Sequence, residues 1–257
     1  MNSSGLRHEN RVAIITGAGQ GTGGIGRATA QLLVQGGARV VVCDVDDGAE
    51  TTAQRIRAAG GEAIAFAGSL AEEANVQAVV DATLARWGRI DILVNNAGGG
   101  IILPFLKHTA ETLKETIARN LWTALWCCHK VLPVMVERNY GRIINTGADS
   151  VRNGLWDHAA YNAAKGGVHA MTTGLAREFA AYDITVNTVA PCVVETDRFQ
   201  KMKVANPDLA SKFLGVVPKG RGAQIEEVAS LIDYLAGEEA AFVTGQVISV
   251  NGGSTML

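Results

Sequence analysis

Between the apolar run Arg11 to Thr16 and the helical pattern Arg27 to Gln35 stands a stretch that reads Gly17-Ala-Gly-Gln-Gly-Thr-Gly-Gly-Ile-Gly26. A segment so poor in side chains continues neither strand nor helix, so the chain must turn there. A glycine turn that runs from a strand into a helix lets backbone N–H groups approach a pyrophosphate, and the helix N-terminus adds favourable charge. Two registers, Gly19-x-Gly21-x-x-Gly24 and Gly21-x-Gly23-x-x-Gly26, fit a dinucleotide fingerprint and remain open here. The candidate cradle is Gly17, Gly19, Gln20, Gly21, Gly24, Ile25 and Gly26. Downstream, Ala38 to Cys43 ends in Asp44. A carboxylate there can accept hydrogen bonds from an adenosine ribose and repels a 2′-phosphate, which favours NAD over NADP.

Strands are expected at Val12 to Thr16, Arg39 to Cys43, Ala63 to Ala67, Ile90 to Asn95, Gly141 to Thr146, Thr185 to Ala190 and Gln246 to Val250. Most are continuously apolar and several are rich in β-branched residues, as parallel strands covered on both faces should be. Helical patterns such as Asn75 to Trp87 and Leu113 to Glu137 fill the intervals. With right-handed crossovers these imply an α/β chain with one doubly wound parallel sheet.

At 257 residues, 47% hydrophobic, the chain suits one compact domain over residues 11–257, preceded by a flexible polar tail at 1–10. A formal net charge of -2 leaves no basic footprint for nucleic acid, and no apolar run approaches a membrane span. A cytoplasmic protein is the expectation. Cys43, Cys127, Cys128 and Cys192 lack zinc spacing, so they read as reduced thiols and no metal is expected.

Tyr161-Asn-Ala-Ala-Lys165 places a phenol and an ammonium one helical turn apart on one face. A phenol is a poor acid or base near neutral pH, and a nearby cation favours its phenolate. Taken with Thr16-Gly17 and its glycine turn, Asn95-Asn96-Ala97-Gly98, Asn120, Pro191 through Thr196, and Val243 through Gly253, the pair resembles the classical short-chain dehydrogenase/reductase family over essentially the whole chain.

The resemblance implies strand order 3-2-1-4-5-6-7 and hydride transfer between a nicotinamide and a secondary alcohol or its ketone. It makes Tyr161 the acid/base, supported by Lys165 and Asn120. It sets Asp44, Val45, Ser69, Leu70, Asn96, Ala97, Gly98, Pro191, Val194 and Thr196 around the cofactor with the glycine turn, Tyr161 and Lys165. It also implies a homotetramer. Asn153, Trp156, His158, Cys192, Phe199 and Met202 are candidate substrate contacts, with residues 197–217 as a lid. Leu155, Trp156 and the apolar lid residues suggest a cyclic, aromatic or otherwise apolar substrate.

One departure bears on catalysis. The family serine lies thirteen residues before the tyrosine, and counting back from Tyr161 reaches Ala148; Ser150 is two positions late. Either a shortened loop puts Ser150 in that role, or Ala148 has replaced the serine, naturally or by engineering. The leading expectation is an NAD-dependent secondary-alcohol dehydrogenase. A 3-oxoacyl-thioester reductase and a nucleotide-binding protein of low activity are the alternatives.

Overall fold

The computed structural model describes residues 5–19 and 24–256. Along the chain run β1 (Val12–Thr16), α1 (Ile25–Gln35), β2 (Arg39–Asp44), α2 (Gly48–Ala58), β3 (Ala63–Ala67), α3 (Glu73–Trp87) and β4 (Ile92–Asn95). There follow α4 (Ala110–Ile117), a π-helical turn (Ala118–Trp122), α5 (Thr123–Glu137), β5 (Gly141–Thr146), α6 (Ser150–Asn153), α7 (Ala159–Glu178) and β6 (Ile184–Pro191). The chain ends with α8 (Asp197–Ala205), α9 (Pro207–Leu214), α10 (Ile225–Leu235) and β7 (Val247–Val250).

The strands form one parallel sheet in the order β3-β2-β1-β4-β5-β6-β7. Alternation along each apolar strand divides its side chains between two cores. Ile15, Val42, Val94 and Ile144 meet α1, α2 and α10 through Leu33, Ile56 and Ile232. Ile14, Val41, Leu93 and Ile143 meet α3 and α5 through Val79, Val131 and Met135. Each such side chain taken from water contributes about 1.5–3 kcal/mol, which favours the apolar runs of β1, β2 and β4; β6 also carries buried Thr185, Asn187 and Thr188.

The two ends of the sheet differ in chemistry. At the N-terminal edge Asp91 accepts from Val12 N (2.8 Å) and from Arg89 Nε (2.8 Å), clasping β1 to β4. Fully buried Arg142 pairs there with Asp183 at 2.9 Å and lies over the Tyr140 ring. These charges are satisfied within the protein and serve the fold. At the other edge the strand order reverses between β1 and β4, leaving the crevice where doubly wound sheets bind ligands.

Within the expected tail, His8 is buried with Nε2 2.8 Å from Asp233, and Arg7 pairs with Asp233 and Glu239. The helix expected from Leu113 to Glu137 is interrupted by the π turn, where Thr123 N donates to Ala118 O.

Candidate active site

The nucleotide side of the crevice is built from backbone. Thr16 Oγ1 accepts the N–H groups of Asn96 (3.0 Å) and Ala97 (2.8 Å), and Asn96 Nδ2 donates to Gly17 O at 2.8 Å. Those bonds lock the loop after β4 against the glycine turn. α1 begins at Ile25 after left-handed Gly24, with no side chain capping its first N–H groups. A Cβ on Gly26 would lie 2.4 Å from Gly17 O, so only glycine lets the helix settle on the turn. Gly26 is therefore the glycine of close helix packing. Gln20 and Gly21 lie outside the described residues.

At the end of β2, Asp44 accepts Gly19 N and Val45 N, both at 2.7 Å, so its carboxylate is fixed beside the turn. Val45 is exposed, Ser69 is exposed with its carbonyl accepting Asn75 Nδ2, and Leu70 is buried. Pro191 ends β6, Val194 bridges to Ala223, and Thr196 caps α8 by accepting Phe199 N. An uncapped helix start, a packing glycine and a fixed carboxylate fit a dinucleotide.

Beside it lies the cluster around Tyr161 and Lys165. α7 turns Lys165 and Thr172 toward the sheet, where Lys165 Nζ donates to Thr146 O at 2.7 Å and Asn145 Nδ2 to Thr172 Oγ1 at 3.0 Å. Asn120 is 1% exposed; its Nδ2 donates to Thr116 O (2.8 Å) and Gly99 O (3.1 Å), and its Oδ1 accepts Gly99 N (3.0 Å). The π turn thus faces Asn120 toward the loop after β4. Gly98 completes the contact: a Cβ there would lie 2.5 Å from Asn120 Oδ1 and 3.3 Å from Lys165 Nζ. Asn120, Gly98 and Lys165, far apart in sequence, meet next to Tyr161.

Burial pushes the Tyr161 phenol up to about 12, and the opposing influence is the charge of Arg198. Lys165, whose Nζ lies 6.0 Å from the Tyr161 ring centroid, is itself held down to about 8 by burial. Without cofactor the site therefore holds a protonated tyrosine, and Lys165 does not by itself draw out the phenolate.

Ser150 donates its hydroxyl to Asn162 Oδ1 at 2.6 Å, and Asn162 Nδ2 returns a bond to Ser150 O at 2.9 Å. That closed pair engages Ser150 at the start of α6. Ala148 is buried just beyond β5, and its N–H donates to His169 Nε2 at 3.3 Å. Burial and the charges of Arg152 and Lys165 hold His169 down to about 4, so its imidazole is neutral and can accept.

A family model described as Enoyl-(Acyl carrier protein) reductase matches residues 19–255. The chain is 58% identical, over 100% of its length and 99% of the relative's, to 2,3-dihydroxy-2,3-dihydro-p-cumate dehydrogenase of Pseudomonas putida. It belongs to the short-chain dehydrogenase/reductase family. A second relative, 1,6-dihydroxycyclohexa-2,4-diene-1-carboxylate dehydrogenase of Acinetobacter baylyi, is 35% identical over 98% of this chain and 99% of its own. The crystal structure of levodione reductase superposes with TM-score 0.88 at 31% identity, covering 96% of this chain and 98% of that one. The protein is thus an oxidoreductase of a family whose dehydrogenases use nicotinamide cofactors.

On the substrate side of this dehydrogenase/reductase, the His158 ring lies 5.9 Å from Tyr161 and 5.8 Å from Phe213, joining α7 to α9. Trp156 is half exposed, with Lys212 Nζ 4.2 Å from its ring. Among the other expected contacts, Phe199 is buried, Asn153 Nδ2 donates to Ser254 Oγ, and Cys192 is half-buried. Met202 is half-buried on α8. Sequence reading missed Arg198, His169 and Asp149, a buried carboxylate accepting Ser249, Ser254 and Thr255 hydroxyls from the C-terminal segment. None carries a motif; each is revealed by where its partners fold.

Proposed function

We propose that this protein oxidises a vicinal dihydrodiol on a six-membered ring that carries a carboxylate, with NAD accepting the hydride. The 58% identity to a dehydrogenase of such a diol, running end to end, is the observation that carries the reading. A second relative named for a ring diol carboxylate supports the same class. Asp44, fixed at the end of β2, supports NAD, because a 2′-phosphate beside that anion would be repelled.

Tyr161 takes the hydroxyl proton as the carbinol carbon gives up hydride. A bound nicotinamide supplies the two-electron acceptor. Tyr161 must first lose its own proton, and the charge of Arg198 opposes the upward push of burial on it; an oxidised nicotinamide, when bound, would supply further positive charge. Lys165 is assigned to the nicotinamide ribose, and Asn120 holds the loop at Gly99 beside it. Residues 197–217 form the lid over the substrate. Oxidation is the favoured direction for a dihydrodiol, since the product regains an aromatic ring by proton shift where the neighbouring carbinol carbon bears a hydrogen, and by loss of carbon dioxide where it bears the carboxylate instead.

The test is the initial rate with 2,3-dihydroxy-2,3-dihydro-p-cumate and either NAD or NADP. Turnover with a strong NAD preference is expected. No oxidation with either cofactor would defeat the proposal, and an NADP preference would defeat the role given to Asp44.

A further inference from the structure

Arg198 stands at the first turn of α8, two residues after the Thr196 cap, and its Nη2 donates to Gly100 O at 3.2 Å. Gly100 in turn abuts the tyrosine: a Cβ built there would lie 3.6 Å from Tyr161 Cδ2. The guanidinium is thus held one residue's width from the proposed reacting tyrosine. Among the described residues no carboxylate pairs with Arg198, and the bond to Gly100 uses one of its five donors. A capping or packing role alone does not call for a cation at that place.

The chemistry of the proposed substrates calls for one. In a 1,6-dihydroxy-1-carboxylate ring the carbon bearing the carboxylate has no hydrogen, so the hydride must leave from its neighbour, carbon 6. In a 2,3-dihydroxy ring with a 1-carboxylate, carbon 2 stands in the same relation to the anion. Both rings therefore offer a carboxylate on the atom next to a carbinol carbon that can be oxidised. With that carbinol at Tyr161, the anion falls within a few bonds of the phenol, on the scale that separates Tyr161 from Arg198.

Resting on the functional reading above, we infer that Arg198 is the specificity-determining residue that binds the substrate carboxylate, fixing which carbinol meets Tyr161. An arginine suits this because its planar fork binds a carboxylate bidentately. The lid helix then closes by an interaction the substrate itself supplies. Lys212, the other lid cation near this face, is directed to the Trp156 ring instead.

The test compares kcat/KM for 2,3-dihydroxy-2,3-dihydro-p-cumate with that for its carboxamide analogue, nearly the same in size but neutral. The ratio removes the part of any influence of Arg198 on Tyr161 that is common to both substrates. In Arg198→Gln the preference for the carboxylate should fall about 10- to 100-fold, the range for losing a charge-assisted contact. It should be partly retained in Arg198→Lys and unchanged in Lys212→Ala. An unchanged preference in Arg198→Gln, or an equal fall in Lys212→Ala, would overturn the inference. So would a parent that oxidises both diols equally well. A parent that oxidises neither defeats the functional reading and takes the inference with it.

Discussion

Lys165 shows how a single residue is costly to the fold while serving the site. It is 3% exposed, and burial holds its ammonium down to about 8. Because the unfolded chain keeps the ordinary value near 10.4, charging Lys165 in the folded protein costs stability below pH 8; the cost fades as pH rises toward the unfolded value. Lys165→Met should therefore stabilise the protein by roughly 1–3 kcal/mol at pH 7, after allowing for the lost bond to Thr146 O, and by much less at pH 9.5. Urea denaturation at both pH values measures this, and a variant less stable than the parent at pH 7 would refute it. The missing serine is the second case. Ser150 is committed to Asn162, so Ser150→Ala should leave kcat nearly intact, whereas Ala148→Ser should raise it by about 10-fold or more by adding a donor for the developing oxyanion. A Ser150→Ala enzyme that has lost most of its turnover would reverse that assignment.

Elements show how far the amino-acid sequence carries. The strands are legible because most are apolar runs rich in β-branched residues, as parallel strands covered on both faces tend to be, although β6 carries interior Thr and Asn. Strand edges shift by a residue or two, as at β4, which starts at Ile92 rather than Ile90. Tyr161, Lys165 and Asp44 are legible for a different reason: their spacing is local or tied to a strand end. What local pattern does not carry is any feature made by distant partners. His8 looks solvated until α10 brings Asp233 to it, and the tie of exposed Arg198 to Gly100 appears only once α8 returns over that loop. The π turn belongs to this class, since the bonds that pin Asn120 go to Gly99 on another segment. Asn120→Ala should cost about 1–3 kcal/mol of stability by leaving Gly99 groups unpaired, and should lower kcat by loosening the loop against Lys165. Denaturation and steady-state kinetics on the same variant check both. Unchanged values would make the turn incidental.

At the scale of the whole molecule, polar groups at the N-terminal edge of the sheet are closed upon one another, while those at the opposite edge converge on a crevice. No helix among the described residues is long and apolar enough to cross a membrane. Trp122 remains 45% exposed and stacks on Trp126 along the π turn and α5, and Met256 is exposed near the C-terminus. We expect those surfaces to be covered in a homotetramer. Light scattering at micromolar concentration should report four subunits, and a stable monomer would count against it. The central claim is that Tyr161 moves the proton in NAD-linked oxidation of a ring diol carboxylate. Its most direct test follows reduced nicotinamide formation from 2,3-dihydroxy-2,3-dihydro-p-cumate by the parent and by Tyr161→Phe, with NAD binding measured alongside. The account predicts turnover by the parent, a fall of about 100-fold or more in the variant, and NAD affinity little changed. Near-normal turnover by Tyr161→Phe would contradict it.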